Sequence, residues 1–394
     1  MFAFFTSARK ALVRALAPLA LVGLAACDPG AFELGGIGTG QRIDTSEPIP
    51  VALLVPRGGT ATDNLLATDL ENAARLAIAS AEDAQIDLRV YGTAGNAATA
   101  GSQAALAVAD GAKIIIGPLY AEAANAAGVA AAQAGVNVLA FSNNPTIAGG
   151  NVFVLGNTFD NTANRLVSFA ARQGKNSIVV VHGQDVAGQI GRNAIQAAIA
   201  RSGATVAGTV DYPLSQQGVV AAVPRIRSAV QSAGADAVFM TASSAGALPL
   251  LAQLMPEQGI DPAVTQYIGL TRWDIPPQTL ELPGVQGGWF ALPDPARSTE
   301  FRSRFEAAYG KAPHPLAGIA FDGIAAVTAL ASRGRSDALT ASALTQGAGF
   351  QGATGVFRLR ADGTNERGLA IATVRGGQVV VIDAAPQGFG GFGS

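Results

Sequence analysis

Short, nearly continuous apolar runs alternate with longer segments of helical periodicity along most of this chain. The runs are VALLV from residue 51, IDLRVYG from 86, KIIIG from 113, VNVLAF from 136, SIVVVH from 177, DAVFMT from 236 and QYIGL from 266. Apolar runs without polar alternation are typical of parallel strands that are covered on both faces. The sequence therefore predicts an α/β fold with doubly wound parallel sheets.

Helical patterns fill the intervals between these strands. Between 64 and 82, apolar side chains recur three and four residues apart, as on one face of a helix. Further helices are expected over 97–110, 120–134, 160–173, 187–202, 217–232 and 243–255. After about residue 292 two helical patterns, 299–309 and 317–331, come together, and the strands GVFRLR, LAIATV and QVVVID follow them. We therefore expect the chain to return to an earlier lobe near its C-terminus.

The N-terminal 26 residues have the order of a secretory signal. Basic residues at Arg9, Lys10 and Arg14 precede an apolar stretch that is too short to span a bilayer as a helix. The run Leu24-Ala25-Ala26-Cys27 resembles a bacterial lipoprotein signal, in which the cysteine is acylated and becomes the mature N-terminus. Cys27 is the only cysteine of the 394 residues. The resemblance implies a signal peptide over 1–26, lipidation of Cys27 and a periplasmic location on the inner or outer membrane.

Two terminal segments have compositions that do not favour a packed structure. Residues 27–48 are rich in Gly and Pro without apolar periodicity, so a flexible tether is expected there. Residues 385–394 form a Gly- and Phe-rich tail that is expected to be disordered.

Net charge and motif content exclude several classes of function. Without residues 1–26, which hold three basic and no acidic side chains, the chain has 23 Lys and Arg against 28 Asp and Glu, a net charge of −5. A nucleic-acid partner is therefore not expected, since phosphate binding needs clustered basic residues. The sequence has no G-x-S-x-G elbow, no phosphate-binding P-loop and no metal-ligand spacing. These absences predict a protein that is not an enzyme and needs neither a metal nor a cofactor.

Several longer segments carry a resemblance to a known family. KIIIGPLYAEAANAAGVAAAQAGVNVLAFSNNP, with VALLVPRGG before it and FRSRFEAAYGKAP, AGIAFDGIAAVTAL and FQGATGVFRLRADG after it, resembles the type I periplasmic binding proteins related to the Leu/Ile/Val-binding protein. The resemblance covers about residues 49–384. It implies two lobes joined by three hinge crossings, near 157, 292 and 350, with a ligand cleft between them. Lobe 1 would comprise 49–157 and 293–350, and lobe 2 would comprise 158–292 and 351–384.

The loops that leave the carboxyl ends of parallel strands converge on one crevice, where helix N-termini offer N–H groups to anions. In lobe 1 these loops are Pro56–Thr62, Gly117–Ala121 and Ser142–Pro145. The candidate cleft residues are Arg57, Gly58, Gly117, Pro118, Leu119, Tyr120, Ser142, Asn143 and Asn144 from lobe 1, and Gln184, Asp185, Thr271, Arg272 and Trp273 from lobe 2. Arg57 is equally explained as a surface charge and Trp273 as a structural plug under a loop. For Asn143 and Asn144, capping of the next turn is the simpler explanation.

Two residues depart from the pattern of the amino-acid-binding members. Those members carry a hydroxyl residue that grips the ligand carboxylate where this chain has Ala121, and a Tyr-Gly pair where it has Ala187-Gly188. Within the superfamily, VALLVPRGG, IIIGPLYAEA and VLAFSNN are most similar to the LppC-like lipoproteins, which include the penicillin-binding protein activators, and the two departures fit such a role. This resemblance implies contact with a peptidoglycan synthase and regulation of cell-wall synthesis. The alternative is the substrate-binding component of an ABC importer for amino acids or related small molecules, with an ABC permease as its partner.

Overall fold

The computed structural model describes residues 40–81 and 84–389. The predicted signal peptide, Cys27 and the first part of the predicted tether lie outside the described residues, as do 390–394.

The first half of the chain builds a parallel sheet. Its elements are β1 (Ile49–Val55), α1 (Ala61–Ala79), β2 (Ile86–Gly92), α2 (Ala97–Ala109), β3 (Ile114–Ile116), α3 (Ala121–Ala132), β4 (Asn137–Ala140) and β5 (Val152–Val154). The strands are parallel in the order β2-β1-β3-β4-β5. We call this sheet and its helices lobe 1.

The chain then enters a second unit of the same kind, which we call lobe 2. Its elements are α4 (Phe159–Arg172), β6 (Ser177–Gly183), α5 (Val186–Ser202), β7 (Thr205–Tyr212), α6 (Gln216–Ala233), β8 (Ala237–Met240), α7 (Leu248–Glu257), β9 (Gln266–Gly269) and β10 (Trp289–Pro293). Short 3-10 turns at Pro277–Glu281 and Pro283–Val285 precede β10.

The last hundred residues contribute to both lobes. They form α8 (Pro295–Tyr309), α9 (Gly318–Ala331), α10 (Ala341–Leu344), β11 (Phe350–Gly352), β12 (Gly355–Leu359), β13 (Asn365–Arg367), β14 (Leu369–Arg375) and β15 (Gln378–Asp383). Strands β11, β12 and β13 make a small antiparallel sheet. Strands β14 and β15 extend the lobe 2 sheet to the order β15-β14-β10-β9-β8-β6-β7, and both pair antiparallel.

Apolar cores lie on both faces of each large sheet. In lobe 1, one core joins β1 and β3 to α1 and α9, and another lies under α2 and α3. In lobe 2, one core lies under α6 and α7 and another under α4 and α5. Coverage on both faces explains why the strand sequences are apolar without alternation. The predicted α/β fold with two parallel-sheet lobes is confirmed.

Five strands were not predicted: β5, β7, β10, β11 and β13. Three of them are only three residues long. Strand β7 is at the sheet edge and only two of its eight residues are buried, so its sequence TVAGTVDY lacks the continuous apolar character of the central strands. Short and edge strands are therefore the elements that apolar patterns identify least well.

The third crossing lies later than the predicted position near 350. Phe350, Phe357 and Leu359 belong to the apolar core of lobe 1. The chain first pairs with the lobe 2 sheet at Leu369, which is opposite Pro293. The physical reason is that the apolar side chains of β11 and β12 pack beside α9, and an apolar pattern does not indicate which of two cores will bury it.

Parts of both predicted flexible ends are packed on the domain. In the tether, Ile43 is buried and its amide donates to the Ser336 carbonyl at 2.8 Å, and the Gln41 side chain donates to the Ala134 carbonyl. In the tail, Ala385 is buried and Phe389 lies against Arg358. One buried apolar side chain together with a few hydrogen bonds anchors each of these short segments.

Candidate functional site

The candidate residues lie in loops that follow the carboxyl ends of strands in both lobes. The first of these loops, after β1, is held by charge pairing. Arg57 donates to Glu71 on α1 at 2.6 Å, and Arg75 binds the other oxygen of Glu71 at 2.7 Å. Burial raises the pKa of Glu71, but the hydrogen bonds and charges of the two arginines outweigh it and leave the pKa below its ordinary value. Gly58, with φ of +90°, donates its amide to Asn64 at 2.9 Å. Arg57 is therefore a paired surface charge in this conformation.

Tyr120 is joined to the N-terminus of α1. Thr60 and Asp63 form a reciprocal capping box there, and the Tyr120 hydroxyl donates to Asp63 at 2.5 Å. The hydrogen bonds from Tyr120 and Thr60 lower the pKa of Asp63, and the Asp63 carboxylate raises the pKa of Tyr120. Asp63 therefore stabilises the fold fully at pH values above its ordinary pKa. This stabilisation is lost as the pH falls through the lowered pKa of the folded protein. The only hydroxyl in the loop after β3 is already in use as a donor.

The other residues of the loop after β3 have structural roles. The Gly117–Pro118 peptide is cis, and Gly117 has φ of +90°. An added Cβ at Gly117 would overlap the Leu54 carbonyl, so only glycine fits. The Pro118 carbonyl accepts from the Phe141 amide at 2.9 Å, and Leu119 packs on the lobe 1 core. These contacts hold the loop tightly to the edge of the sheet.

Polar residues after β4 bind their own backbone. Ser142 is buried, and its hydroxyl accepts from the Asn144 amide at 3.1 Å. Asn144 in turn caps the 3-10 turn Pro145–Ile147 by accepting from the Thr146 amide at 3.0 Å. Asn143 is exposed. Of these three residues, Asn143 has the side chain that is open to solvent.

The lobe 2 candidates are also paired within their own lobe. Gln184 donates to Asp211 at 2.7 Å, and Asp185 caps α5 by accepting from the Gly188 amide at 3.2 Å. Thr271 donates to the Ala242 carbonyl at 3.0 Å. The Nε of Arg272 donates to Asp274 at 2.9 Å. The structure places these groups at the carboxyl edge of the sheet, and each already has a protein partner.

Trp273 is not a wall of the cleft. Its side chain is fully buried in the lobe 2 core, where it stacks on Phe290 with ring centroids 6.1 Å apart. An added Cβ at Gly269 or Gly288 would overlap the indole ring, so the two glycines make the slot that it fills. The indole Nε1 has no hydrogen-bond partner in the described part of the chain. The indole therefore fills a slot in the core beneath its own loop, as a structural plug.

Most helix N-termini at the cleft edges are closed by their own caps. The capping side chains are Thr60 on α1, Asn96 on α2, Asp185 on α5 and Ser215 on α6. Each accepts one of the amides that could otherwise bind an anion. Helix α3 begins after Tyr120 without a capping side chain within the described residues, and its first turn carries Glu122. A carboxylate there disfavours a second anion at the same N-terminus.

Sequence reasoning missed a set of exposed apolar residues at the edge of lobe 2. Val186, Leu214 and Ile275 are 74%, 64% and 47% exposed, and they follow β6, β7 and β9. Leu65, on the first turns of α1 in lobe 1, is similarly exposed. The available signal was an apolar residue next to Asp or Pro, two to six residues after a strand. These positions give the cleft edges an apolar surface between internally paired polar groups.

Hydrogen bonds bring the candidates together within each lobe, not between lobes. Among the described residues, none of the hydrogen bonds or ion pairs joins a lobe 1 candidate to a lobe 2 candidate. Contacts between the lobes occur at the hinge instead. Asn365 donates to the Val154 and Gly156 carbonyls at 2.7 and 2.8 Å and accepts from Asn161 at 2.5 Å.

A family model described as periplasmic binding protein matches residues 48–378. The chain belongs to this family. Family membership places the protein in the periplasm and identifies it as a binding protein, not an enzyme. A comparison with curated proteins finds no match.

Solved structures of this family share the fold at low sequence identity. A protein from Rhodospirillum rubrum described as a branched-chain amino acid ABC transporter is 18% identical, with a TM-score of 0.72 over 85% of this chain and 100% of that one. A branched-chain amino acid ABC transporter ligand-binding protein from Burkholderia xenovorans is 16% identical, with a TM-score of 0.67 over 88% and 97%. An ABC transporter substrate-binding protein from Desulfitobacterium hafniense, solved with Leu, is 19% identical, with a TM-score of 0.62 over 85% and 100%. At these identities the likeness establishes the fold alone.

None of the helices in the described part of the chain has an apolar stretch long enough to span a bilayer.

Proposed function

We propose that this protein is a lipid-anchored periplasmic regulator of peptidoglycan synthesis that acts by contact with a penicillin-binding protein. The carrying observation is that most of the donors expected to bind an anionic ligand are replaced or already paired within the protein. The family resemblance implies a hydroxyl and an aromatic residue, in the amino-acid-binding members, at the positions that Ala121 and Ala187 occupy here. Cys27 supplies the anchor, and the stable form of such an anchor needs more than one acyl chain.

The charges at the cleft edges support this proposal. The guanidinium groups of Arg57 and Arg272 are each bound to a carboxylate of the same lobe. An amino acid would have to displace Glu71 or Asp274 to obtain a cationic partner for its carboxylate. Breaking the Arg272 pair leaves Asp274 without its guanidinium partner, and breaking the Arg57 pair leaves Glu71 with Arg75 alone; both losses oppose ligand binding.

A second candidate function is favoured by the apolar residues at the cleft edge. Val186, Leu214 and Ile275 would suit a ligand with an uncharged, apolar side chain, and pockets of this composition are usual for small molecules. The solved relatives named above are ABC transporter proteins. Under this alternative the protein is the substrate-binding component of an importer, with an ABC permease as its partner.

A thermal-shift screen of the full chain in detergent distinguishes the regulator of peptidoglycan synthesis from the importer component. We expect no shift with leucine, isoleucine, glutamate or benzoate. A ligand at a hundredfold excess over its Kd would add about 2.7 kcal/mol to the free energy of unfolding, which is easily visible in a melt. A concentration-dependent rise in melting temperature with any of these ligands would replace the first proposal by the second.

The positive test is reconstitution with purified penicillin-binding proteins. We expect the protein to raise the glycan polymerisation or cross-linking rate of at least one of them. The matched control is bovine serum albumin at the same concentration and in the same detergent. No binding and no rate change with any synthase of the source organism would contradict the proposal, whatever the result of the ligand screen.

A further inference from the structure

The segment that follows β15 does not remain within lobe 2. Residues 384–389, which we call the C-terminal strap, begin in contact with that lobe. The Ala384 carbonyl accepts from Arg165 on α4 at 3.1 Å, and Ala385 is buried in the lobe 2 core. Pro386 then lies beside Gly368, where an added Cβ would be 3.1 Å from the proline ring. The strap therefore starts at the third crossing, on the lobe 2 side.

The end of the strap contacts elements that pack on lobe 1. Gln387 donates to Asp294, the capping residue of α8, at 3.0 Å. Its carbonyl accepts from Gln351 on β11 at 3.3 Å. The ring of Phe389 lies 4.7 Å from the guanidinium carbon of Arg358 on β12. The same six residues thus contact both lobes, beside the second and third crossings.

We propose that the C-terminal strap restricts rotation of the lobes about the hinge by bridging them non-covalently. In a two-lobed protein with three crossings, the lobes rotate by dihedral changes at a few hinge residues. The strap adds a fourth passage across the same axis. When the lobes rotate, the contacts of Gln387 and Phe389 must break or slide, because Ala385 remains buried in lobe 2.

The contacts of the strap are weak enough to be released. They are one hydrogen bond between the exposed side chain of Gln351 and the Gln387 carbonyl, one from the exposed Gln387 side chain to the buried Asp294, and one cation–π contact. Losing one interaction of this kind shifts the populations of two lobe arrangements by about fivefold. The strap is therefore suited to bias an equilibrium between lobe arrangements without locking it.

The test measures the distance between the lobes by electron spin resonance in the full chain. Cys27 is the only native cysteine, so Cys27→Ser leaves a background free of thiols. Spin labels are attached to Val129→Cys on α3 in lobe 1 and Val264→Cys in lobe 2, both of which are largely exposed. The chain is truncated after Ala385, and the matched control is truncated after Phe389, which keeps the strap.

We expect truncation after Ala385, which removes all three contacts, to broaden the distance distribution or to raise the minor population by more than fivefold, and the control to match the full chain. Phe389→Ala and Gln387→Ala, which leave the backbone intact, should each give a smaller change in the same direction. Circular dichroism checks that each variant is folded. Identical distributions for the full chain and both point variants would overturn the proposal, even if the truncated chain did not fold.

Discussion

At the residue scale, side chains that were chosen for their chemistry are mostly occupied by near neighbours. Tyr120 donates to Asp63, and Arg272 is paired with Asp274. Trp273, the largest of the candidates, is buried under the loop that carries it. The residue type at a strand end thus indicates which hydrogen bonds or ion pairs the side chain can form. Which group it actually binds is determined by the tertiary structure.

Replacement of Trp273 tests whether it is a core residue. We expect Trp273→Ala to lower the free energy of unfolding by about 3–5 kcal/mol, because it removes a fully buried indole and leaves a cavity. The measurement is urea denaturation followed by circular dichroism. The control is Tyr120→Ala, which removes a half-exposed aromatic and should cost much less. If the Trp273→Ala protein were as stable as the native chain, Trp273 would not be a core residue and would have to line the cleft instead.

At the element scale, helix caps decide which backbone groups remain available at the cleft. Helix α1 begins with a capping box in which Thr60 and Asp63 each accept from the other's backbone. This motif was readable in the sequence as Thr followed three residues later by Asp, although the helix was predicted to begin three residues later than it does. The caps satisfy the amides that a helix N-terminus otherwise offers to an anion.

The capping box predicts that Thr→Ala substitutions at the N-cap of α1 and within α1 differ in their effect on the free energy of unfolding. We expect Thr60→Ala to cost about 1 kcal/mol of unfolding free energy, since it removes the acceptor for the Asp63 amide. Thr68→Ala, at an exposed position within the same helix, should change stability by less than about 0.5 kcal/mol. Chemical denaturation of both variants at neutral pH makes the comparison. Equal effects would mean that the cap does not stabilise α1.

At the scale of the whole molecule, a buried ion pair lies where the chain changes lobes. Arg367 on β13 binds Asp322 on α9 at 2.8 Å, with exposed fractions of 7% and 1%. Arg367 also donates from Nε to the Leu155 carbonyl at the first crossing at 2.8 Å, and Asp322 accepts from the Ala353 amide at 2.7 Å. Burial raises the pKa of Asp322, and the charge of Arg367 acts in the opposite direction. The pair joins segments that are distant in sequence.

Removal of one partner of this pair is expected to be costly. Asp322→Asn should lower the free energy of unfolding by about 3–5 kcal/mol, because it leaves the buried guanidinium of Arg367 uncompensated. In a separate cycle of Asp322→Leu, Arg367→Met and the variant with both changes, the double variant should lose less unfolding free energy than the sum of the two single changes, since no buried charge remains. Thermal and urea unfolding of the four proteins of this cycle test the prediction. Additive losses would show that the two groups do not interact.

Local patterns in the sequence were sufficient to determine the α/β class and most of the helices and central strands, and the resemblance to the type I periplasmic binding proteins implied the two lobes. This is because periodicity and apolar runs report which faces an element buries, and burial on both faces requires a layered α/β fold. The third crossing, the packed strap and the burial of Trp273 depended on tertiary structure. In each case an apolar or polar group had several partners of suitable chemistry, and only the arrangement of the two lobes determined which one lay within contact distance.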